Sequence, residues 1–370
     1  MGLKNDIIVL ICVSIFIGIS TFWLLLIPRI SILIMTNLIR ETSFGGIFVP
    51  NFKVIINLKA GSGEAAEVWP QLQQALKQVQ IRYRSYVSEY AGHAISLATK
   101  LADEADDTNE SEEQTVLIVV GGDGTVNQVL NGIRRSQHPD TPIAYFPAGS
   151  GNDFARSLHL TKDAHTFAAQ LTTIDHITPL NIFDVHMTDS ANPVYRQQKF
   201  LINNFGIGFD AHVVHLTENS QTKNTLNRWH LGNLSYASNI LTVLRKQAPF
   251  QLTVYDEANQ PVHFKHAYLT TMTNIAYFGG GIKILPTADP HQQEIDLIVI
   301  DKPNFPRLLK LIRQILTNGH HVNSPGVHLF KGDHLRYEIS PAQYGQMDGE
   351  DMGKHQFQIT AENAQHPFWI

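Results

Sequence analysis

The chain is poor in cysteine, with only Cys12 among 370 residues. A disulfide framework is therefore excluded, and a reducing compartment is compatible. Charge is sparse too: Asp, Glu, Lys and Arg make up 16% of the sequence, and the net balance is −5. Without a basic surplus there is nothing to neutralise a phosphate backbone, so a nucleic-acid partner is excluded. Metal motifs are also missing. His212 and His215 have helical metal-pair spacing, but no HExxH accompanies them and 18 histidines make such coincidences common. Structural or surface roles are expected for both.

One long apolar run is present. Ile7 to Ile27 is 21 residues without a charged side chain, enough at about 1.5 Å each to span a hydrocarbon core of about 30 Å. A cleaved signal peptide would have a shorter apolar core ending in small residues, and none appear near Pro28-Arg29. Arg29, Arg40 and Lys53 follow the run, whereas Lys4, offset by Asp6, precedes it. The expectation is a single-pass cell-membrane anchor and linker over residues 1–50, with the rest of the chain cytoplasmic. The apolar stretch Ser31 to Ile39 continues the anchor or lies along the interface.

The stretch from Thr115 to Arg135 organises the rest of the chain. Thr115 to Val120 is a β-branched run suited to a strand buried on both faces. It breaks at Gly121-Gly122-Asp123-Gly124, and from Thr125 the apolar residues Val126, Val129, Leu130 and Ile133 fall at helical spacing. Strand, glycine turn and helix N-terminus together suit a phosphate. Asp123 would repel a triphosphate unless a divalent cation stood between them, so the turn is expected to hold a Mg-nucleotide. A second unit comes next: the buried-strand candidate Pro142 to Pro147 runs into Ala148 to Arg156, AGSGNDFAR, again a glycine turn carrying an acid. Two such loops on successive parallel strands would share one carboxyl edge, where open α/β sheets bind ligands.

GGDGTVNQVLNG followed by PAGSGNDFAR resembles the diacylglycerol kinase and sphingosine kinase superfamily, in its bacterial soluble-domain branch. The resemblance runs from Lys53 to the end of the chain. It implies an α/β fold with a Rossmann-like, three-layer domain of the NAD kinase and phosphofructokinase type over residues 51–178. A C-terminal antiparallel β-sandwich over residues 179–355 would come after it, with a final strand at about 356–370 returning to the first domain. Short alternating or β-branched runs after Thr178 agree with a sandwich, and Phe305 to Leu316 and Trp229 to Leu244 are the expected helices among them.

The same resemblance implies site residues. ATP would be held by Asn57 and Gly61 in the first glycine turn, by Ser88, by Gly121, Gly122, Asp123, Gly124, Thr125, Val126, Asn127 and Gln128, and by Ser150. Asp123, Asp153 and Asp348 would position a catalytic Mg²⁺, partly through water. In Gln346-Met347-Asp348-Gly349-Glu350, similar to the family's DGE motif, Glu350 would be the general base. The family's Phe-Gly-Gly-Gly stretch is matched at Phe278 to Gly281. Gln292-Gln293 stand where the branch carries an acid for a structural Mg²⁺, so that second metal is not expected. The expected reaction is γ-phosphoryl transfer from Mg-ATP to a membrane lipid hydroxyl, diacylglycerol first, at the bilayer. A homodimer is allowed. A sphingoid or other lipid acceptor, an NAD kinase and a membrane-tethered lipid-binding pseudokinase are the competing readings.

Overall fold

The computed structural model describes residues 49–104, 113–174, 176–219, 239–240, 242–256 and 258–370. The membrane helix expected at residues 7–27 lies outside the described residues, as does most of the helix expected at 229–244. Among the described residues, no helix is long and apolar enough to cross a membrane.

The N-terminal half alternates strands and helices. In order come β1 (Val49–Ile56), α1 (Glu64–Gln78), β2 (Tyr83–Val87), α2 (His93–Asp103), β3 (Glu113–Gly121), α3 (Asp123–Ile133), β4 (Ile143–Pro147), α4 (Asp153–Ser157) and α5 (Ala164–Thr173). The strands lie in the order β4-β3-β1-β2, with β1 parallel to β2 and β3 parallel to β4. Parallel strands covered on both faces have no polar side, which is why Val116 to Val120 and Ile143 to Phe146 are apolar throughout and buried. Ile55, Leu117, Val119 and Tyr145 pack with Ala98 and Leu101 of α2 and Val126, Val129 and Leu130 of α3 in one core. The carboxyl ends of β1, β3 and β4 thereby deliver three glycine-bearing turns to one sheet edge.

The second half is mostly antiparallel: β5 (Thr178–Asp189), β6 (Asn192–Leu201), β7 (Asn204–Gly208), β8 (Phe250–Tyr255) and β9 (Pro261–Thr273) come first. The short hairpin β10 (Tyr277–Phe278) and β11 (Ile282–Lys283) is next, then β12 (Ile295–Asp301), β13 (Val327–Gly332), β14 (His334–Ser340), β15 (Gln343–Met347), β16 (Glu350–His355) and β17 (Phe357–Phe368). Among the described residues, helices α6 (Phe209–Asn219) and α7 (Phe305–Thr317) interrupt it, and residues 239–240 and 242–246 are helical as well. Phe205, Phe250, Met272, Leu297, Tyr337 and Phe357 fill the sandwich core. β17 stitches the halves together: it runs antiparallel to β5 along its whole length and ends parallel to β4 at Phe368 against Ile143. Phe368 is fully buried beside Phe154 of α4, 5.3 Å between ring centroids.

Candidate active site

Three loops converge at the carboxyl edge of the parallel strands. The turn after β1 reaches the other two through Asn57, whose amide donates to Thr125 Oγ1 at 3.2 Å. At Gly61 a β-carbon would stand 2.7 Å from the Ala148 carbonyl oxygen, so this turn lies directly against the turn after β4. The turns after β3 and β4 touch backbone to backbone. A β-carbon on Gly149 would fall 2.4 Å from Gly122 Cα, inside any van der Waals contact. Both glycines are thus required by close approach. Gly122 is extended at the N-cap of α3 and offers no side-chain cap, so the first turn of that helix is uncapped by its own chain.

Asp123 fastens the two turns. Its carboxylate accepts from the Asp153 N–H at 2.9 Å and the Phe154 N–H at 3.3 Å. Burial pushes its pKa up to about 6, against these hydrogen bonds and with the nearby Asp153 charge adding to the rise. Asp153 is itself held: one oxygen accepts from Gly280 N at 2.8 Å and the other pairs with Arg156. The Gly279-Gly280-Gly281 bend between β10 and β11 therefore closes over the turn after β4. Burial also raises the Asp153 carboxyl, while Gly280 and Arg156 lower it.

Asp348-Gly349-Glu350 is built on a two-residue hairpin turn. Met347 pairs with Glu350 across β15 and β16, and Asp348 (φ 48°) and Gly349 (φ 83°) occupy the left-handed region that such a turn demands. The turn sends its two acids in different directions. The Asp348 carboxylate is buried and accepts from Asn127 Nδ2 at 2.5 Å and from the N–H groups of Ile202 (3.2 Å), Asn203 (3.0 Å) and Asn204 (2.9 Å). Burial pushes it up to about 7 while those donors pull it down. With both oxygens engaged, its visible work is to lock α3 and the bend between β6 and β7 to the hairpin. Glu350 stays half-buried beside Gly124, where a β-carbon would lie 3.9 Å from its Oε1, and that oxygen accepts from Gln128 Nε2 at 3.1 Å.

Ser150 is exposed at the tip of its turn. Ser88 lies farther along the edge, at the end of β2, where its N–H donates to the Ile56 carbonyl at 2.7 Å. His93 serves its own turn: Nδ1 accepts from Glu89 N, and the ring stacks on Tyr90 at 4.3 Å. His212 and His215 are engaged by Gln247 and Asp351, in keeping with structural roles.

The structure adds a residue that sequence reasoning missed. Asp210, at the start of α6, is buried, and its Oδ1 has no hydrogen-bond partner among the described residues. Its Oδ2 accepts from Gln346 Nε2 at 3.1 Å. Burial pushes the carboxyl up to about 6. The carboxylate lies over Gly206 so closely that a β-carbon there would come within 1.7 Å of Oδ2. The signal available in the sequence was that glycine, since glycine within a strand marks close approach by another group. Asp123, Asp153, Asp210 and Asp348 line one cavity of about 180 Å³, with Asn203 and Gly280 also in its wall. Asn203 Oδ1 is a second buried oxygen without a partner among the described residues.

Acceptor oxygens in excess of donors are a deficit that a hard cation fills. Among the described residues, no three His, Cys, Asp or Glu side chains cluster closely enough to cage a metal unaided.

Comparison with known proteins agrees with this geometry. Residues 51–185 match the diacylglycerol kinase catalytic domain, and residues 204–364 match the YegS C-terminal NAD kinase beta sandwich-like domain. A Bacillus subtilis protein described as "Putative lipid kinase YtlR" is 27% identical over 314 residues, covering 83% of this chain and 95% of its own. The diacylglycerol kinase of the same organism is 24% identical over 298 residues, 80% of this chain and 89% of its own. A crystal structure from Bacillus anthracis, described as "a putative diacylglycerol kinase", shares the fold at a TM-score of 0.63 and 21% identity, covering 86% of this chain and 94% of that one. The chain is an enzyme of the diacylglycerol kinase-like lipid kinase family, its catalytic domain followed by the YegS-type β-sandwich.

Proposed function

We propose that this lipid kinase transfers the γ-phosphoryl group of ATP to the free hydroxyl of diacylglycerol, giving phosphatidic acid and ADP. The observation that carries the proposal is the cavity where two back-to-back glycine turns meet four aspartates. The turns supply N–H groups for phosphate oxygens, with Gly121 to Gln128 and Ser150 along the triphosphate and Asn57, Gly61 and Ser88 on the nucleotide side. Asp123, Asp153 and Asp348 would position Mg²⁺, partly through water, and Asp210, with its unpartnered Oδ1 in the same cavity, joins them. When bound, the ion neutralises phosphate charge in the transfer. Glu350 accepts the proton of the lipid hydroxyl as the new P–O bond forms and the bond to the bridging β,γ-oxygen breaks. Gln128 holds that carboxylate in place.

Diacylglycerol is favoured by the match to the diacylglycerol kinase catalytic domain. The apolar residues 7–27 would hold the chain at the cell membrane with its catalytic part on the cytoplasmic side, where ATP is supplied. The test is a radiolabelled γ-phosphate transfer assay on the full chain with Mg-ATP. Mixed micelles present diacylglycerol, sphingosine or phosphatidylglycerol, and NAD is offered separately. Labelled phosphatidic acid is the expected product. NADP with no lipid product would overturn the proposal, as would ATP binding without transfer to any acceptor.

A further inference from the structure

Helix α7 carries an apolar stripe that the fold does not use. Asn304 caps it by accepting from Arg307 N at 3.2 Å, and Pro306 stands in its first turn. Its inner side is anchored by Leu311, buried with Ile284, Leu285, Ile298 and Ile300. At 100° per residue, Phe305, Leu309, Ile312 and Leu316 then fall on a second, outward stripe. They are 70%, 53%, 38% and 68% exposed. Single exposed apolar residues need no explanation, but four in one row do. Leu329, 45% exposed, pairs with Ile298 across β12 and β13 and so faces the same side of the sheet as the helix.

Charge identifies the occupant. The helix contains no acid, and Lys310 and Arg313 stand on the solvent flank of the stripe. Arg307 turns inward toward Gly326 and Asp301 and does not contribute. An apolar stripe bordered by cations alone matches a surface that is apolar below and anionic above. At 13 residues the helix is about 20 Å long, too short to span a bilayer but suited to lying along one.

We propose that α7 is an interfacial docking face for an anionic bilayer. Its position gives this a use, which rests on the lipid kinase assignment. α7 packs on β11, and the cluster around Leu311 takes in Phe278, next to the glycine bend whose Gly280 holds Asp153. Docking through α7 brings the β10–β11 hairpin, whose bend holds Asp153, toward the lipid surface.

The test places a polarity-sensitive nitrobenzoxadiazole label at Leu309→Cys or Leu316→Cys in the full chain carrying Cys12→Ser. Gln74→Cys, exposed on α1, is the control. On phosphatidylcholine vesicles containing phosphatidylglycerol, both α7 labels should shift to the blue and be quenched by spin-labelled lipid, while the control stays in water. In Lys310→Gln/Arg313→Gln the ratio of lipid-embedded to aqueous label should fall about thirtyfold, at about tenfold per 1.4 kcal/mol and about 1 kcal/mol per cation. Phosphorylation of a water-soluble short-chain diacylglycerol should be unchanged in that variant. Labels that remain aqueous on these vesicles overturn the proposal. A blue shift without vesicles also overturns it, because a second copy or residues 1–48 would then cover the face. Labels that embed in a chain phosphorylating no lipid would overturn the proposed reaction and leave the docking face standing.

Discussion

Asp210→Asn should make the free enzyme more stable and inactive, and the size of the first effect comes from the cavity. The Asp210 carboxyl lies at about 6 against an ordinary value of 3.8, because burial opposes its charge. At about 1.4 kcal/mol per pH unit, ionising it costs the folded state about 3 kcal/mol. The sign is that of a raised folded-state value: the penalty is absent below pH 3.8 and develops in full as pH rises through 6. Asparagine carries no such charge. Its buried amide leaves a polar group unpaired at a cost of about 1 kcal/mol, so the net gain at pH 8 is about 2 kcal/mol. Urea unfolding, followed through the buried Trp369, measures this. The difference between variant and wild type should change by about 2.5 kcal/mol between pH 4 and pH 8. Mg-ATP should then stabilise the wild type at pH 8 and the variant much less. A stability difference that does not move with pH would refute the claim that this carboxylate is buried and underpaired. Full activity in the variant would remove it from the site.

Gly149→Ala forces a β-carbon to 2.4 Å from Gly122 Cα; it should cost about 1–3 kcal/mol of stability and lower kcat about a hundredfold by displacing the turns by ångströms, which steady-state kinetics on the purified variant would show. Asp123→Asn should abolish phosphoryl transfer with the fold retained by circular dichroism, and near-normal turnover would end its assignment to the metal. Glu350→Gln should reduce kcat by about 10²–10⁴-fold with little change in ATP affinity by calorimetry; poor ATP binding with normal turnover would contradict the general-base role. Because burial holds Asp123 and Asp210 at about 6, Mg²⁺ binding should release protons at pH 6 and weaken as pH falls below it, measurable by titration in buffers of different ionisation enthalpy.

Much of the architecture was legible in the chain because local physics writes it there. The β-branched run before Gly121 can only be a strand covered on both faces, and Val126, Val129 and Leu130 can only be the inner side of the helix after it. The structure lengthens the first strand, since hydrogen-bonded ends outrun apolar pattern: β3 runs Glu113–Gly121, whereas β4 starts one residue later than expected, at Ile143, and ends at Pro147. Short strands such as Gln343–Met347 are not legible in this way, because they have little alternation of their own and are set by their partners.

The site divides along the same line. Glycines and acids in GGDG and GSGNDFAR announce themselves, since a tight turn at a strand's carboxyl end leaves few chemical uses. Two things needed the third dimension. Asp348 and Glu350 are neighbours in one turn, yet the left-handed backbone at Asp348 and Gly349 aims one into four N–H and amide donors and leaves the other half-buried against Gln128. Asp210 sits 87 positions after Asp123, and only the packing of α6 over Gly206 brings it to the same cavity. Sequence determines what a segment can form with its neighbours in the chain. Which distant side chains are stripped of water together, and hence which acid is left short of partners, is decided when the two halves close on each other, because desolvation is a property of the surroundings and not of the residue.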